Sequence, residues 1–383
     1  MAGMVLAAVS DFGWGSIGKL RLILDRLGGV DVALDEATAS WANSGELLGA
    51  RHRVAGHRDR RDAAVALVIN DPRAADEISD IGVPVVYVDS LPYLWTLPSE
   101  IPRRAALHCA QRSPLAELPA GSPLHGRQDL RWIEPIVPPA RRRGGRGEGC
   151  VVNVGGMHSH LVGGASDAYL RLVVIPLVER LVDGGHTVSA VCGNLPDWAC
   201  ARVTGLVPST TTIGVHSGRR FEEILSRSDI LFTSPGSTTM LQAAAVGIPT
   251  VLLPPQNLSQ ILHPRIYLTP SRSVLHWPSG VLDPETVEKL RPSGEDAVLE
   301  YVYESIVAAE KSVSAGRELN DAIDRSVALG SDHRPPLDIE ELGTGGAGQV
   351  ARVIRQALLA PLPRPRTAHR RQAPPAVGGT VGA

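Results

Sequence analysis

The sequence predicts an α/β chain of two domains, each built around a parallel sheet. Three observations carry this. Short apolar runs without polar alternation recur along the chain, as strands buried on both faces require. Segments with helical spacing of apolar residues separate them. Residues 138–149, PPARRRGGRGEG, are rich in Pro, Gly and Arg, hold Ala140 as their one apolar side chain, and divide the series in two. At 383 residues the chain is long enough to bury two cores.

The first series begins with the apolar run Met4 to Ser10, a buried strand. Ile17, Leu20, Ile23, Leu24 and Leu27 then share one helix face, and Gly28-Gly29 stop that helix. Val30 to Leu34, Ala63 to Asn70 and Val83 to Asp89 read as further strands. Residues 41–48 suit a helix, and so do Asp71 to Ser79, with Pro72 in the first turn. Ala105 to Cys109 and Leu130 to Val137 are strand-like pieces among loops.

The second series starts at Cys150 with a strand running into a Gly-rich turn. Helices are expected over Ala168 to Val182, Leu195 to Val203 and Phe221 to Ser226, and strands over His186 to Cys192 and Thr210 to Val215. Then comes DILFTSPGSTTMLQAAAVGIPTVLLPPQNLSQ, Asp229 to Gln260: strand, Gly/Ser turn, small-residue helix, strand and amide-rich loop. Pro284 to Leu290, Glu295 to Val313 and Gln349 to Leu359 look helical. The expected organisation is 1–137 as a first Rossmann-like domain, 138–149 as linker and 150–345 as a second Rossmann-like domain. Residues 346–360 form a helix that can pack back on the first domain, and 361–383 a disordered Pro/Arg-rich tail.

Composition narrows the function classes. The net charge is −2, which calls for neither nucleic acid nor an anionic membrane as partner. Cys109, Cys150, Cys192 and Cys200 form no CxxC pair and read as buried thiols in a reducing cytoplasm. The apolar N-terminus is interrupted at Asp11 and lacks a basic leader, so it reads as a strand rather than a signal peptide. No apolar run is long enough for a membrane helix.

Two stretches carry chemistry. In Pro235-Gly236-Ser237-Thr238-Thr239 a helix opens on Gly and hydroxyl residues, which leaves backbone N–H groups and a positive dipole end for a phosphate. The second stretch, DFGWGSIGKL, supports three readings. Gly13, Gly15 and Gly18 match a dinucleotide fingerprint, with Asp35 near the expected acidic position, although Trp14 is bulky where pyrophosphate must approach. Gly13, Gly18 and Lys19 also approach a P-loop, but Leu20 stands where a Ser or Thr should hold Mg²⁺. The third reading is a loop at the edge of the first strand that lines the interdomain cleft.

Taken together, these features resemble the GT-B glycosyltransferases, two Rossmann-like domains with parallel sheets facing across a cleft. The match is strongest to the bacterial lipid-linked peptidoglycan N-acetylglucosaminyltransferase group and its UDP-sugar relatives. It rests on Pro235 to Thr239 followed by Ala245-Val246-Gly247-Ile248-Pro249. The resemblance implies that Gly236, Ser237, Thr238 and Thr239 hold the donor diphosphate. Gln242 stands where the family has a Glu for the ribose, and Gln256, Asn257 and Gln260 roughly match its sugar-contacting amides. Gly155, Gly156 and His158 resemble the turn opening the family's second domain, and His216 follows the strand beside which the family holds uracil. The family's usual Gly-x-Gly-His loop is absent; DFGWGSIGKL with the later VDSLPYLW looks like the cytosylglucuronate synthase group of nucleoside-antibiotic pathways. That group attaches the sugar of UDP-glucuronate to a ring nitrogen of cytosine.

An inverting transfer needs a stabilised leaving group, a placed acceptor and a base. Asp11 is the candidate base and Asp89, also at a strand end, the runner-up, with a turn cap as the plain alternative for each. Gly13, Trp14, Gly15, Lys19, Tyr93 and Trp95 are the acceptor and cleft candidates, the aromatics as stacking faces. Lys19 in a first helical turn opposes the helix dipole and hints at an anion. His158 and His160 lack a third partner, so no metal is expected. No cofactor is expected beyond the nucleotide-sugar co-substrate. The expected partners are that donor, a UDP-sugar, and a small acceptor, without nucleic acid or membrane insertion.

Overall fold

The computed structural model describes residues 3–10, 14–41, 52–114, 117–139, 147–157, 166–267, 273–360 and 362. Asp11, Gly13 and His158 lie outside the described residues, as do 140–146 of the expected linker and nearly all of the tail. The first half contains β1 (Val5–Val9), α1 (Trp14–Leu27), β2 (Val32–Leu34), α2 (Glu36–Trp41), β3 (His52–Val54) and α3 (His57–Asp62). It continues with β4 (Val65–Ile69), α4 (Pro72–Asp80), β5 (Val85–Asp89), β6 (Leu107–Gln111) and β7 (Leu130–Ile133). The second half holds β8 (Cys150–Val154), α5 (Ser166–Tyr169), α6 (Ile175–Asp183), β9 (Val188–Gly193), α7 (Asp197–Thr204) and β10 (Thr212–Gly214). After these come α8 (Gly218–Arg227), β11 (Ile230–Thr233), α9 (Ser237–Val246), β12 (Thr250–Leu252), α10 (Leu258–Tyr267) and β13 (Ser273–Val274). Four helices close the chain: α11 (Pro284–Leu290), α12 (Glu295–Glu310), α13 (Val313–Leu329) and α14 (Gly346–Leu359).

The strands form a seven-stranded sheet in the order β3-β2-β1-β4-β5-β6-β7 and a six-stranded sheet in the order β10-β9-β8-β11-β12-β13. Every neighbouring pair runs parallel. The expected α/β class with two Rossmann-like sheets is therefore what the chain adopts. Every residue of β1, β4, β5 and β8 is buried, which is why these strands read as unbroken apolar runs. Each sheet has a switch point, between β1 and β4 and between β8 and β11, where chain order reverses. A crevice opens there beyond the carboxyl ends of the strands, the usual ligand position in open α/β sheets.

Local chemistry explains most boundaries. Asp71 caps α4 by accepting the Ala74 N–H at 2.9 Å, and Pro72 opens it. Gly247 ends α9 in the left-handed conformation at φ 75°. Some expectations fail. Strand β7 ends at Ile133 and not Val137, and β3, α3 and β13 went unpredicted because short or charged segments carry little periodicity. Helix α2 went unpredicted, and of the helix expected at 41–48 only Trp41, the last residue of α2, lies within the described residues. The amide-rich "loop" from Gln256 runs into helix α10, which tolerates Pro264 in its interior. The helix expected over Glu295 to Val313 is α12, which ends at Glu310; α13, unforeseen, begins at Val313, where Ser312 caps it by accepting the Ala315 N–H at 3.3 Å.

Helix α14 leaves the second half and buries Val350, Ile354 and Ala357 in the core that β1, β4 and α1 build. Arg355 donates to the carbonyls of Arg26 and Leu27 at the end of α1, and Gln349 pairs with Glu134. The C-terminal helix is thus part of the N-terminal core. Replacing Ile354 by Ala should cost about 2–5 kcal/mol. Urea unfolding should show this as a lower midpoint with an unchanged m-value.

Candidate functional site

The carboxyl ends of the two sheets meet in a cleft made of two adjoining cavities of about 210 and 200 Å³. They share Trp14, Gly15, Asn153, Gly193, Thr238 and Thr239. Either one is smaller than a typical small-molecule site of roughly 300 Å³ or more; joined, they reach that class.

Helix α9 enters this cleft end-on. Its cap residue, Gly236, offers no side-chain bond to the first turn, so the positive end of the helix is left to whatever occupies the cleft. Gly236, Ser237, Thr238 and Thr239 all line the second cavity. Gln242, one turn on, is buried and lines the first cavity beside His216. His216 holds its Nε2 buried without a hydrogen-bond partner, and burial, then Arg220, lowers its pKa. Val215 and Phe221 add apolar wall to that cavity.

Lys19 comes from the other half. It is 2% exposed, and its ammonium donates to Thr238 Oγ1 at 2.5 Å. Gly15 permits this approach: a Cβ there would lie 3.0 Å from Thr238 Oγ1. Among the described residues no carboxylate forms an ion pair with Lys19, and burial lowers its pKa from 10.5 to about 8. Nearby on α1, Arg21 is clamped to Glu222 of α8, a second bond across the cleft.

The amides after β12 divide in role. Gln256 is fully buried: it donates to the Gly155 carbonyl at 2.8 Å and accepts from the Tyr303 hydroxyl at 3.0 Å. It does not line the cleft, so its expected sugar contact is corrected to a bracing role. Gln260 and Asn257 do line the second cavity. Gln260 also donates to the Gly155 carbonyl, at 3.1 Å, and Asn257 Oδ1 caps α10 by accepting the Gln260 N–H at 2.9 Å. These amides hold the Gly155-Gly156 turn against α10. Gly156 sits at φ 93°, where a Cβ would come within 2.9 Å of Gln260 Nε2.

On the acceptor side three expectations are corrected. Asp89 is fully buried and lines neither cavity. It accepts from the Leu91 N–H and the Trp95 indole, each at 2.9 Å, and its Oδ2 lies 3.1 Å from His108 Nε2. It closes a turn and is no candidate base. Trp95 is therefore held by Asp89, and Tyr93 packs edge-on against His263 and Tyr267. Neither aromatic lines the cleft; Trp14 lines both cavities.

The sequence did not flag the polar set that takes their place. Asn70 has a left-handed backbone, φ 54°, strained for a residue other than Gly. Its amide donates to Ser16 Oγ at 3.1 Å and Ser90 Oγ at 2.9 Å, and accepts from the Ser90 N–H at 2.9 Å. All three residues line the second cavity at the ends of β4, β5 and the start of α1. The positive φ was the hidden signal: an Asn directly after an apolar strand tolerates it better than most residues. His263, also missed, lies in the same cavity at 2% exposure. Its Nδ1–H donates to the Pro235 carbonyl, leaving Nε2 without a hydrogen-bond partner. Burial, with the Lys19 charge adding, pushes its pKa down to about 4, so the ring is neutral at pH 7. Among the described residues no group of three or more His, Cys, Asp or Glu is placed to hold a metal ion, and no helix is long and apolar enough to cross a membrane.

A family model for CGA synthase-related proteins matches residues 30–266. The chain belongs to the CGA synthase-related protein family. That match spans β2 to α10 and so includes α9 and the turn before it. No curated protein sequence matches the chain. Among solved structures it is similar to a Listeria monocytogenes protein described as a candidate UDP-N-acetylglucosamine 2-epimerase: TM-score 0.51, 10% identity, 95% of this chain and 99% of that one. The S. aureus MnaA–UDP co-structure is matched with the same four values. MurG of Acinetobacter baumannii is matched at TM-score 0.40 and 11% identity, over 84% of this chain and 99% of that one. At such identities the likeness is one of fold, and the fold is GT-B.

Lys19 makes the ligand-free protein pay for its site. Its folded pKa, about 8, lies below the unfolded value of 10.5, so between them the unfolded chain holds the extra proton. Stability of the ligand-free fold therefore rises with pH across that window. Lys19→Met should remove this slope and stabilise the ligand-free protein at pH 7 by about 1–3 kcal/mol. Thermal melts of both proteins between pH 7 and 10 check this; equal slopes would show that the ammonium is not desolvated.

Proposed function

We propose that the chain is a glycosyltransferase that moves a sugar from a nucleotide-sugar donor to a small acceptor, with UDP-glucuronate as donor and cytosine as acceptor. The observation that carries the reading is the uncapped positive end of α9 opening into a cleft between two Rossmann-like sheets. Family membership supports the specific pair, since CGA is read as cytosylglucuronate.

In this reading the diphosphate lies against Gly236 to Thr239. The uracil ring occupies the first cavity beside His216 and Phe221, and Gln242 faces the ribose. An amide bonds a hydroxyl without charge assistance, so the ribose contact is weaker than a carboxylate would make it. The transferred sugar lies towards Asn257 and Gln260, and the acceptor towards Trp14, Ser16, Asn70 and Ser90. The ring nitrogen attacks the anomeric carbon and forms the C–N bond. The bond from that carbon to the β-phosphate oxygen breaks, and its electron pair leaves with UDP. Asp11 takes the proton from the acceptor nitrogen. The α9 N–H groups and hydroxyls stabilise the charge that gathers on the leaving oxygen.

The donor class is tested by thermal shift with UDP, dTDP, GDP and NAD. Stabilisation by UDP above the others is expected; stabilisation by NAD alone would return the Gly13-x-Gly15 loop to a dinucleotide role and end this reading. Asp11→Asn should keep the UDP shift and lose roughly 10²–10⁴-fold in turnover. Unchanged turnover would remove Asp11 from the mechanism.

A further inference from the structure

The near-P-loop Gly13-x-x-x-x-Gly18-Lys19 is left unused by the reading above. In the structure Lys19 stands inside helix α1, and its ammonium reaches a hydroxyl on the helix of the opposite sheet, Thr238 at 2.5 Å. Here a nearly fully buried ammonium faces the positive end of a helix, two like-signed features that repel unless an anion lies between or beside them. A second atom in the same cavity, His263 Nε2, is buried without a hydrogen-bond partner; with the proton on Nδ1 it is an acceptor and suits a hydroxyl of the donor rather than its phosphate.

We propose that Lys19 is a catalytic residue that binds the diphosphate of the donor from the acceptor-side half, so that the leaving group is held by both halves of the cleft at once. This rests on the assignment of the α9 end as the diphosphate site and adds the residue that completes it. As the C–O bond to the β-phosphate breaks, its electron pair stays on the phosphate oxygen, and Lys19 donates a hydrogen bond to the phosphate while keeping its own proton. The acceptor's proton goes elsewhere, to the base. Thr238 orients the ammonium; in the complex its hydroxyl and the ammonium converge on the same phosphate oxygens. The geometry also gives donor binding a structural consequence. Because Lys19 and Arg21 lie on one helix, α1, and reach Thr238 and Glu222, the diphosphate and the Arg21–Glu222 pair fasten the same two faces.

The test is calorimetric titration of UDP, UMP and uridine into the full chain, its Lys19→Met variant and its Lys19→Arg variant. The Met variant should bind UDP roughly 10- to 100-fold more weakly, with uridine affinity unchanged. A pH series from 7.5 to 9 adds a readout on the unmodified protein, over which the uracil ring stays mostly un-ionised and uridine serves as the control for its titration. Among the described residues the groups facing Lys19 are Thr238 of α9, which carries no charge, and His263 of α10, which is neutral throughout this range. With the free ammonium titrating at about 8 and held protonated by the bound diphosphate, UDP affinity should fall roughly tenfold across the series. Lys19→Arg, always charged, should bind UDP without that fall. If UDP binds the Met variant as tightly as the parent, or the parent's affinity is flat with pH, Lys19 does not hold the diphosphate, and the donor site on α9 stands without it. If the parent binds neither UDP nor UMP, the donor assignment itself fails.

Discussion

A buried ammonium set against the positive end of a helix is the constraint on which the site depends. Lys19 sits on the first helix of one sheet and Thr238 on the helix after the fourth strand of the other. Parallel strand order makes this meeting possible. In both sheets the chain order of the strands reverses near the centre, both crevices open at the carboxyl ends of the strands, and the two crevices face each other. The arrangement costs stability in the empty protein, as sites built to hold charge often do. Asn70 adds a second local cost, a left-handed backbone that lets one amide hold Ser16 and Ser90 along the opposite wall.

The surroundings of the cleft are arranged to keep it rigid. Gln256 and Gln260 both bind the Gly155 carbonyl, Asn257 caps α10, and His263 on that helix donates to the Pro235 carbonyl next to α9. The loop after β8, the turn before α9 and helix α10 are thus tied to one another by side chains rather than by the sheet. Helix α14 secures the other side by filling the core beneath α1, the helix that carries Lys19.

Much of this architecture was legible. Strands buried on both faces leave unbroken apolar runs, and the Gly-hydroxyl turn with Gly247 past the helix end marks α9 without reference to anything distant. The site was legible where backbone geometry decides it and less so where side-chain direction does. Asp89 looked like a cleft carboxylate because it ends a strand, but successive residues face opposite ways, so Ser90 lines the cleft while Asp89 turns to Trp95 and His108. Tyr93 and Trp95 followed it inward. Gln256 looked like a sugar ligand until its partners, Gly155 and Tyr303, were seen to come from 101 and 47 residues away. Lys19 stands out in the sequence from an expected place in a first helical turn; α1 begins at Trp14 and puts it in the second turn, and its partner lies 219 residues on. Pairings of that range leave no periodic trace.

The central claim is that the cleft joins a donor and an acceptor rather than acting on a nucleotide sugar alone, as a hydrolase or epimerase would. The most direct measurement is the rate of UDP release from UDP-glucuronate by the purified chain, with and without cytosine, with the sugar product identified by mass. The account predicts release that depends on cytosine and a product carrying both the glucuronate and the base. Equal consumption with and without cytosine, giving only free or epimerised sugar, would contradict it.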